Sequence, residues 1–375
     1  MTRFFWISFI TLAYIYFLYP LTVWALAALF GRQPQKLPVT PNLSLLIPAY
    51  NEEAHIETKL RNSLSLDYPR DRLEIVVAND GSTDRTEALA RSFEGQGVRI
   101  LTMPQNVGKT RMLSKVVPSL KGEIVVFSDT SSELKIDALR VLVRAFADPK
   151  VGCVSGLYST KPGEDLRGKG EGLYWRYETF IKSQESRLHS ILGAHGAFYA
   201  IRRSLFTVLE DASINDDYLI PMHIVRQGFR AVYEPEAEAW ELEVASVKGE
   251  FARRRRIAAG NCQQIVALRG MLSPVYGWVA FCFFTHNVLR PAAPLALISL
   301  AFSSLFLPRP FVWIAIGCQA ALYGGAWIGH QLQKRGYHVK LLSPLLYFCL
   351  GNAAMLAGLL AYCFRPASVR WERAR

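Results

Sequence analysis

The sequence predicts an α/β domain with transmembrane helices on its N-terminal and C-terminal sides. Three observations lead to this prediction. Strand and helix signals alternate between residues 43 and 127, apolar segments of membrane-spanning length lie towards both ends, and 375 residues exceed one average domain. Hydrophobic residues make up 51% of the chain and the mean hydropathy is +0.14. The chain therefore combines a folded α/β domain with a membrane part.

The N-terminal apolar segment spans residues 4–30 and carries no charge over these 27 positions. About 20 apolar residues in a helix cross a bilayer core, so we predict a retained transmembrane helix rather than a signal peptide. Three further apolar segments lie at residues 292–307, 311–332 and 344–364. A single segment of this kind would suit a buried core helix, but three in succession favour transmembrane helices.

Composition divides the chain into five predicted parts. These are an N-terminal transmembrane helix (1–31), the α/β domain (32–245), amphipathic interfacial helices (246–290), three C-terminal transmembrane helices (291–364) and a basic tail (365–375). The formal net charge is +12, but basic residues gather beside the apolar segments, which favours anionic lipid head groups over nucleic acid. Six cysteines without CxxC spacing indicate neither a zinc site nor a disulfide framework.

Strands and helices alternate along the α/β domain. Strands are predicted at residues 43–47, 73–78, 98–103 and 123–127, with helices at 53–66, 83–93 and 108–117. This rhythm predicts a parallel sheet that is covered on both faces and binds its ligand at the carboxyl ends of the strands. The later predicted elements are a helix at 170–190, strands at 197–201 and 231–233, and an amphipathic helix at 246–268.

Acidic side chains follow two of the predicted strands. Asp80 starts a turn after the second strand, so it is either an ordinary turn residue or a carboxylate that accepts hydrogen bonds from a uracil or ribose edge. Asp129 follows the fourth strand and is a candidate ligand for a divalent ion that neutralises a leaving diphosphate. Hard oxygen ligands of this kind suit Mg²⁺ or Mn²⁺.

Two adjacent acids, Asp216 and Asp217, precede a helical stretch that runs to Gly228. They either stabilise the helix dipole, or one of them acts as the general base that deprotonates an attacking hydroxyl. Lys109 opens another predicted helix, where it can meet phosphate together with the helix N-terminus. The spacing around Lys109 does not match a Walker motif.

Ordered motifs in this chain resemble the membrane-bound branch of the family-2 glycosyltransferases, which includes cellulose, hyaluronan and poly-N-acetylglucosamine synthases. Residues 46–53 (LIPAYNEE) are similar to the family's opening strand and donor-nucleotide loop, and residues 77–84 (VANDGSTD) to its uridine-binding segment. The resemblance implies a GT-A (Rossmann-like) fold and a UDP-sugar donor. The residues that it assigns to the donor are Pro48, Tyr50, Glu52, Asp80, Lys109, Asp129 and Arg256.

The resemblance also implies the catalytic and acceptor residues. The family's base is the last acid of a triplet that stands eleven residues before a glycine, and Asp217 has that spacing to Gly228. Asp217 is therefore the predicted base, and Asp216 takes the place of its acidic neighbour. Gly196 resembles the glycine of the acceptor pocket, and Arg253 is a further acceptor candidate.

Two departures from the family pattern bear on the metal and on polymerisation. The metal motif Asp-x-Asp becomes Asp129-Thr130-Ser131, so the predicted Mg²⁺ or Mn²⁺ ligands are Asp129 and the weaker Ser131 hydroxyl, with Glu133 or Asp216 as further candidates. The family motif Gln-x-x-Arg-Trp becomes Arg253 to Ile257, which keeps Arg256 but loses the aromatic platform of processive synthases. The basic run serves either a diphosphate or lipid head groups.

These features predict an inverting transferase that moves a sugar from a UDP-sugar to a membrane-associated acceptor during exopolysaccharide or cell-envelope glycan synthesis. One alternative is a single, non-processive addition to a lipid-linked acceptor. Another is a non-catalytic membrane subunit. The partners expected are the UDP-sugar, membrane lipid, a glycan or lipid-linked acceptor and other polysaccharide synthesis or export proteins, without nucleic acid.

The expected location is a membrane, the bacterial inner membrane, with the α/β domain in the cytoplasm where nucleotide sugars occur. Arg32 and Lys36 after the first helix agree with the positive-inside rule, and so would Lys334, Arg335 and Lys340. Four crossings would place the basic tail outside, against that rule. We interpret residues 275–289 as interfacial, and the number of crossings stays open.

Overall fold

The computed structural model describes residues 1–160, 169–209, 213–241, 247–335, 337, 339 and 341–364. These residues form two compact units. The sheet unit consists of residues 30–160, 182–209 and 213–241. The helical unit consists of residues 1–29, 169–181 and the described part of 247–364. The basic tail, 365–375, and Lys340 lie outside the described residues, so their predicted sides of the membrane stay predictions.

One mixed sheet contains all eight strands found in the described part of the chain. In chain order the strands are β1 (Leu43–Ala49), β2 (Leu73–Asn79), β3 (Val98–Thr102), β4 (Ile124–Ser128), β5 (Ser132–Leu134), β6 (Val151–Thr160), β7 (Phe198–Arg202) and β8 (Arg230–Glu241).

The strand order across this sheet is β3-β2-β1-β4-β7-β6-β8-β5. The first four strands in that order run parallel, as the alternation of strand and helix signals predicts. Beyond β4 the sheet is mixed, because β7 pairs antiparallel with both β4 and β6, and β5 pairs antiparallel with β8. β6 and β8 run parallel to each other. The sequence pattern does not predict β5 or β6.

Thirteen α-helices lie in the described part of the chain. They are α1 (Thr2–Ala13), α2 (Tyr19–Phe30), α3 (Ile56–Ser65), α4 (Thr86–Arg91), α5 (Lys109–Val116), α6 (Ala138–Val143), α7 (Lys169–Leu188), α8 (Asp216–Arg226), α9 (Val247–Ala267), α10 (Trp278–Cys282), α11 (Ala293–Ser304), α12 (Phe311–Lys334) and α13 (Ser343–Phe364). Two π-helical segments are Tyr14–Leu18 and Phe283–Leu289, and the 3₁₀ turns are Arg70–Arg72, Glu94–Gln96, Val117–Ser119, Arg144–Ala147, Arg203–Leu205, Arg269–Leu272, Pro274–Tyr276 and Arg290–Ala292.

The central strand β1 is buried along its whole length. Its alternate residues Leu43, Leu45 and Ile47 share one face of the sheet and pack in one core with Ile56 and Leu60 of α3. A strand that is buried on both faces has a continuous apolar sequence, and this pattern predicts β1. Its carboxyl end carries the chain directly into the loop that follows residue 49.

Three helices of the helical unit are long and apolar enough to cross a membrane: Thr2–Phe30, Phe311–Lys334 and Ser343–Phe364. They correspond to three of the four predicted spans. The fourth, residues 292–307, forms the 12-residue helix α11, which is shorter than a bilayer core requires. A π-helical segment and a 3₁₀ turn join α11 to α10, so the helical path begins at Trp278. The crossing of residues 292–307 stays a prediction.

Helix α9, which carries the basic run 253–256, packs closely against α13. A Cβ atom at Gly358 would lie 2.5 Å from the Cβ atom of Ala258 and 2.6 Å from the carbonyl oxygen of Arg255. The guanidinium of Arg254 stacks over the ring of Tyr347. Small residues allow this close approach of helix backbones, as is common between membrane helices.

Candidate active site

The loops that follow β1 and β2 hold each other through side-chain to backbone hydrogen bonds. Asn51 has a positive φ of 54° and accepts the backbone N–H of Thr83 at 2.8 Å. The backbone N–H of Asn51 in turn donates to the Ser82 hydroxyl at 3.0 Å, and that of Glu52 to the Thr86 hydroxyl at 2.7 Å. The motifs 46–53 and 77–84, far apart in sequence, therefore form one rigid edge of the sheet.

Asp80 at the end of β2 fixes a third loop. Its two carboxylate oxygens accept the backbone N–H groups of Val107 and Gly108, both at 2.9 Å, and the side chain is fully buried. Burial raises the pKa of Asp80, and these two hydrogen bonds act against that rise. Asp80 thus positions the loop that leads into α5. Its predicted contact with uridine stays a prediction.

The loop after β4 carries the predicted metal motif. The Thr130 hydroxyl donates to the carbonyl oxygen of Pro48 at 2.8 Å, which ties this loop to the end of β1. The hydroxyl of Ser132 donates to the carbonyl oxygen of Asp129 at 2.7 Å and closes the turn. Asp129 itself is partly exposed, with 34% of its side-chain surface accessible. Its carboxylate can therefore reach a ligand.

Lys109 at the start of α5 joins two of the predicted carboxylates. Its ammonium lies 3.1 Å from Oδ1 of Asp129 and 3.7 Å from Oδ2 of Asp216. Burial alone would lower the pKa of Lys109, but Asp129, Asp216 and Asp217 outweigh it and raise the pKa above its ordinary value. Lys109 is therefore a permanent cation at the centre of an acidic cluster.

Asp217 lies on the first turn of α8, and its carboxylate reaches the loop before β7. A Cβ atom at Gly196 would lie 2.6 Å from Oδ2 of Asp217, so only glycine fits there without displacing the acid. The backbone N–H of Ala194 donates to the Asp217 carbonyl at 2.8 Å. Burial and the nearby Asp216 raise the pKa of Asp217 to about 6, while Lys109 lowers it. A carboxylate with this pKa suits a general base near neutral pH.

The candidate metal site offers few protein ligands among the described residues. In the part of the chain that the structure describes, no three His, Cys, Asp or Glu side chains gather into a group that could hold a metal ion. Asp129 and the Ser131 hydroxyl offer hard oxygen donors, so phosphate oxygens of a substrate would have to complete the coordination. Mg²⁺ and related ions are commonly bound in this shared manner.

Residues 44–209 match the family described as Glycosyl transferase family 2. The matched segment begins in β1 and includes Asp80, Lys109, Asp129 and Gly196. The chain carries a family 2 glycosyltransferase domain. The resemblance inferred from the motifs of the first three loops is thereby confirmed, and Asp216 and Asp217 follow the matched segment.

Three curated relatives are similar to part of this chain. The chain is 28% identical over 246 residues to a probable glycosyltransferase, YdaM, of Bacillus subtilis, which covers 61% of this chain and 57% of that protein. It is 28% identical over 304 residues to the beta-monoglucosyldiacylglycerol synthase of Synechocystis, covering 76% and 63%. It is 27% identical over 237 residues to the poly-beta-1,6-N-acetyl-D-glucosamine synthase of Staphylococcus aureus, covering 62% and 57%. The matches thus span about three fifths of these relatives' length.

A solved structure has the same fold over nearly the whole chain. It is the mannosyltransferase PcManGT of Pyrobaculum calidifontis, in complex with GDP-Man and Mn²⁺. The TM-score is 0.74 at 24% sequence identity, covering 97% of this chain and all of that one. The predicted GT-A fold is confirmed.

The remaining predicted site residues of this chain lie in different places. Pro48 is the sixth residue of β1, and Tyr50 and Glu52 belong to the loop that follows it, beside the motif 77–84. Arg253 is half-buried and Arg256 exposed on α9 of the helical unit. The predicted roles of these five residues in donor or acceptor binding stay predictions.

One charged residue close to the metal motif, Lys59, is not predicted by the sequence motifs. Lys59 is fully buried on α3, and its ammonium donates to the Ser128 hydroxyl at 2.6 Å and to the carbonyl oxygen of Ser132 at 2.8 Å. The available signal was a lysine on the apolar face of a helix, next to Leu60 and one turn from Ile56 and Ser63. Such a lysine requires a buried acceptor, and serines flank the motif at 128 and 132.

Proposed function

We propose that this protein transfers a sugar from a nucleotide-diphosphate donor, a UDP-sugar by the motifs, to a membrane-associated acceptor with inversion at the sugar. The observation that supports it best is the carboxylate of Asp217, which lies against Gly196 with a pKa of about 6, in the same acidic cluster as Lys109 and Asp129. A base and a charged site for a leaving group are thereby close together.

In this proposal Asp217 is the general base. Its pKa of about 6 leaves it largely ionised at neutral pH, yet basic enough to accept a proton from an attacking hydroxyl. Asp216 maintains that basicity, because a second carboxylate nearby disfavours ionisation of the first. Gly196 leaves room for the carboxylate and for the incoming acceptor.

In this proposal Lys109 and Asp129 bind the leaving nucleoside diphosphate. Lys109 contributes a fixed positive charge at the start of α5, close to the N-terminal N–H groups of that helix. Asp129 and Ser131 would hold Mg²⁺ or Mn²⁺, which when bound neutralises charge on the diphosphate. The fold relative that contains Mn²⁺ and GDP-Man supports both the ion and a nucleotide-sugar donor.

The decisive experiment measures release of the nucleoside diphosphate by the full chain in lipid, across UDP-sugars and GDP-mannose with Mg²⁺ or Mn²⁺. We expect release from one donor class, and we expect Asp217→Asn to reduce it by about a hundredfold or more. Asp71→Asn, a change of the same kind at an exposed site, serves as the matched control. Equal rates in wild type and Asp217→Asn would refute the assignment of the base.

A second candidate function, beside polymer synthesis, is the addition of a single sugar to a lipid-linked acceptor. Ile257 stands where processive members have an aromatic platform, and the match to the glycolipid synthase covers more of this chain than the match to the polymer synthase. Mass spectrometry of products separates the two, since polymerisation gives a ladder. Failure to release nucleotide from every donor would favour a non-catalytic subunit.

The proposed location follows from the three candidate spanning helices. We place the protein in a cell membrane, the inner membrane of a bacterium, with the sheet unit in the cytoplasm, and we expect contact with glycan synthesis or export proteins. Labelling of an engineered cysteine from each side of intact vesicles tests this orientation. The variant Gln96→Cys, on the exposed turn before β3, should react only from the cytoplasmic side.

A further inference from the structure

We propose that Lys59 is a positioning residue for the transfer reaction, because its buried ammonium holds residues 128–132, which carry Asp129 and Ser131, in the shape that binds the ion and diphosphate. This inference rests on the proposed function. None of the sequence motifs described above includes Lys59.

The three N–H groups of the ammonium are all used. They donate to Ser128 Oγ at 2.6 Å, to the Ser132 carbonyl oxygen at 2.8 Å and to Ser132 Oγ at 3.2 Å. These acceptors lie at the two ends of residues 128–132, so one side chain spans the base of the loop. Within the described residues, no carboxylate forms an ion pair with Lys59, so its direct hydrogen-bond acceptors are Ser128 and Ser132.

Ser128 and Ser132 form further hydrogen bonds that connect Lys59 to the candidate active site. Ser132 Oγ accepts from Lys59 and donates to the carbonyl oxygen of Asp129 at 2.7 Å. Ser128 Oγ accepts from Lys59 and donates to the carbonyl oxygen of Ala197 at 3.2 Å, and the Asp129 N–H also donates to Ala197. Ala197 follows Gly196, which touches Asp217. Lys59 thus secures both the metal loop and the loop beside the base.

This arrangement is costly for folding, which indicates that it serves something else. Burial lowers the pKa of Lys59 to about 7, although Asp129 and Glu133 act against that shift. An apolar side chain of similar length would fill the same space beside Leu60 without desolvating a charge. The absence of a second carboxylate at Ser131 leaves few ligands, so the orientation of Asp129 matters more for ion binding.

The test measures Mn²⁺ binding at equilibrium, without turnover, by electron paramagnetic resonance of free Mn²⁺. Full-length protein in lipid is titrated in the presence of UDP and, in a parallel arm, GDP. Lys59→Met should weaken Mn²⁺ binding by about tenfold while the melting temperature stays equal or rises. Removal of a nearby positive charge would by itself strengthen cation binding, so a weakening identifies lost positioning.

Two further variants keep the result interpretable. Ser132→Ala removes one acceptor of Lys59 and the bond to Asp129, and should weaken Mn²⁺ binding in the same direction even if Lys59→Met fails to fold. Lys121→Met is the matched control, since the Lys121 side chain is exposed. Its affinity for Mn²⁺ should equal that of the wild type.

Unchanged or tighter Mn²⁺ binding in Lys59→Met and Ser132→Ala would overturn the inference, as would a lower melting temperature with normal ion affinity. Lack of Mn²⁺ binding by the wild type with both nucleotides would overturn it too. Failure of the proposed function has a different signature. The wild type would then bind Mn²⁺ with nucleotide, and lose it in the variants, yet release no nucleoside diphosphate from any donor.

Discussion

The carboxylate of Asp217 lies so close to Gly196 that a single added Cβ atom would come within 2.6 Å of its Oδ2 atom. Gly196→Ala should therefore displace the proposed base while leaving both acids of α8 in the chain. We expect the turnover rate to fall by at least about tenfold, since small misplacements of a catalytic group are costly. Gly95→Ala, where a Cβ meets nothing within 4 Å, is the control. Equal turnover by the two variants would contradict this steric account.

The pH dependence of turnover should report the pKa of Asp217. Because the base acts ionised and its pKa is about 6, kcat/KM should rise with pH and level off above that value. Asp216→Asn should move the inflection to lower pH, because the Asp216 charge raises this pKa. Lys109→Met should move it to higher pH, because Lys109 lowers it. Opposite shifts, or none, would argue against Asp217 as the titrating group.

Protein stability should depend on pH through Lys59. The pKa of Lys59 is lowered from 10.5 to about 7 in the folded state, so between these values the unfolded chain holds a proton that the folded protein lacks. The free energy of unfolding should therefore rise as pH increases from 7 to 10. Melting temperatures of wild type and Lys59→Met should converge over this range. Parallel curves would mean that Lys59 titrates normally.

Asp80 should prove important for nucleotide binding through the loop that it holds. Asp80→Asn retains one acceptor but turns an amide group towards a backbone N–H of Val107 or Gly108. We expect a loss of stability of about 1–3 kcal/mol and weaker binding of UDP, measured by thermal unfolding and calorimetry. Asp67→Asn, at an exposed carboxylate, is the control. Normal stability with lost UDP binding would instead indicate a direct contact with the nucleotide.

Restoring the family metal motif should strengthen ion binding. Ser131→Asp adds a second carboxylate to residues 129–131, and affinity for divalent ions follows the charge of their ligands. We expect Mn²⁺ to bind about tenfold more tightly in the presence of UDP. Ser92→Asp adds the same charge at an exposed site and should leave the affinity unchanged. An unchanged affinity in Ser131→Asp would show that residue 131 does not face the ion.

The carboxyl ends of β1 and β2 illustrate how much the sequence predicts. Local apolar runs located both strands to within two residues at each end, because a buried parallel strand must be apolar throughout. The motifs behind them also predicted the family correctly. The motifs do not predict the hydrogen bonds of Asn51 with Ser82 and Thr83. They also do not predict those of Asp80 with Val107 and Gly108. In both cases the partners are about 30 residues apart in the sequence.

The later strands show the opposite case. β6 and β5 were missed because an edge or antiparallel strand is defined by its partner rather than by a local apolar period. The 12-residue helix α11 is a similar case, since its length does not reveal whether the chain crosses a membrane there. The π-helical segment before α11 depends on packing within the helical unit, which a local apolar run does not encode.

Residue order and the family resemblance predicted Asp129, Asp216 and Asp217, together with Lys109 and Gly196, as candidate site residues. The contacts among them came from the folded chain. Lys109 lies between Asp129 and Asp216, Gly196 meets Asp217, and Lys59 reaches residues 128–132 from a neighbouring helix. The physical reason is that the charge state and orientation of a side chain depend on burial and on partners distant in sequence, which spacing along one chain does not encode.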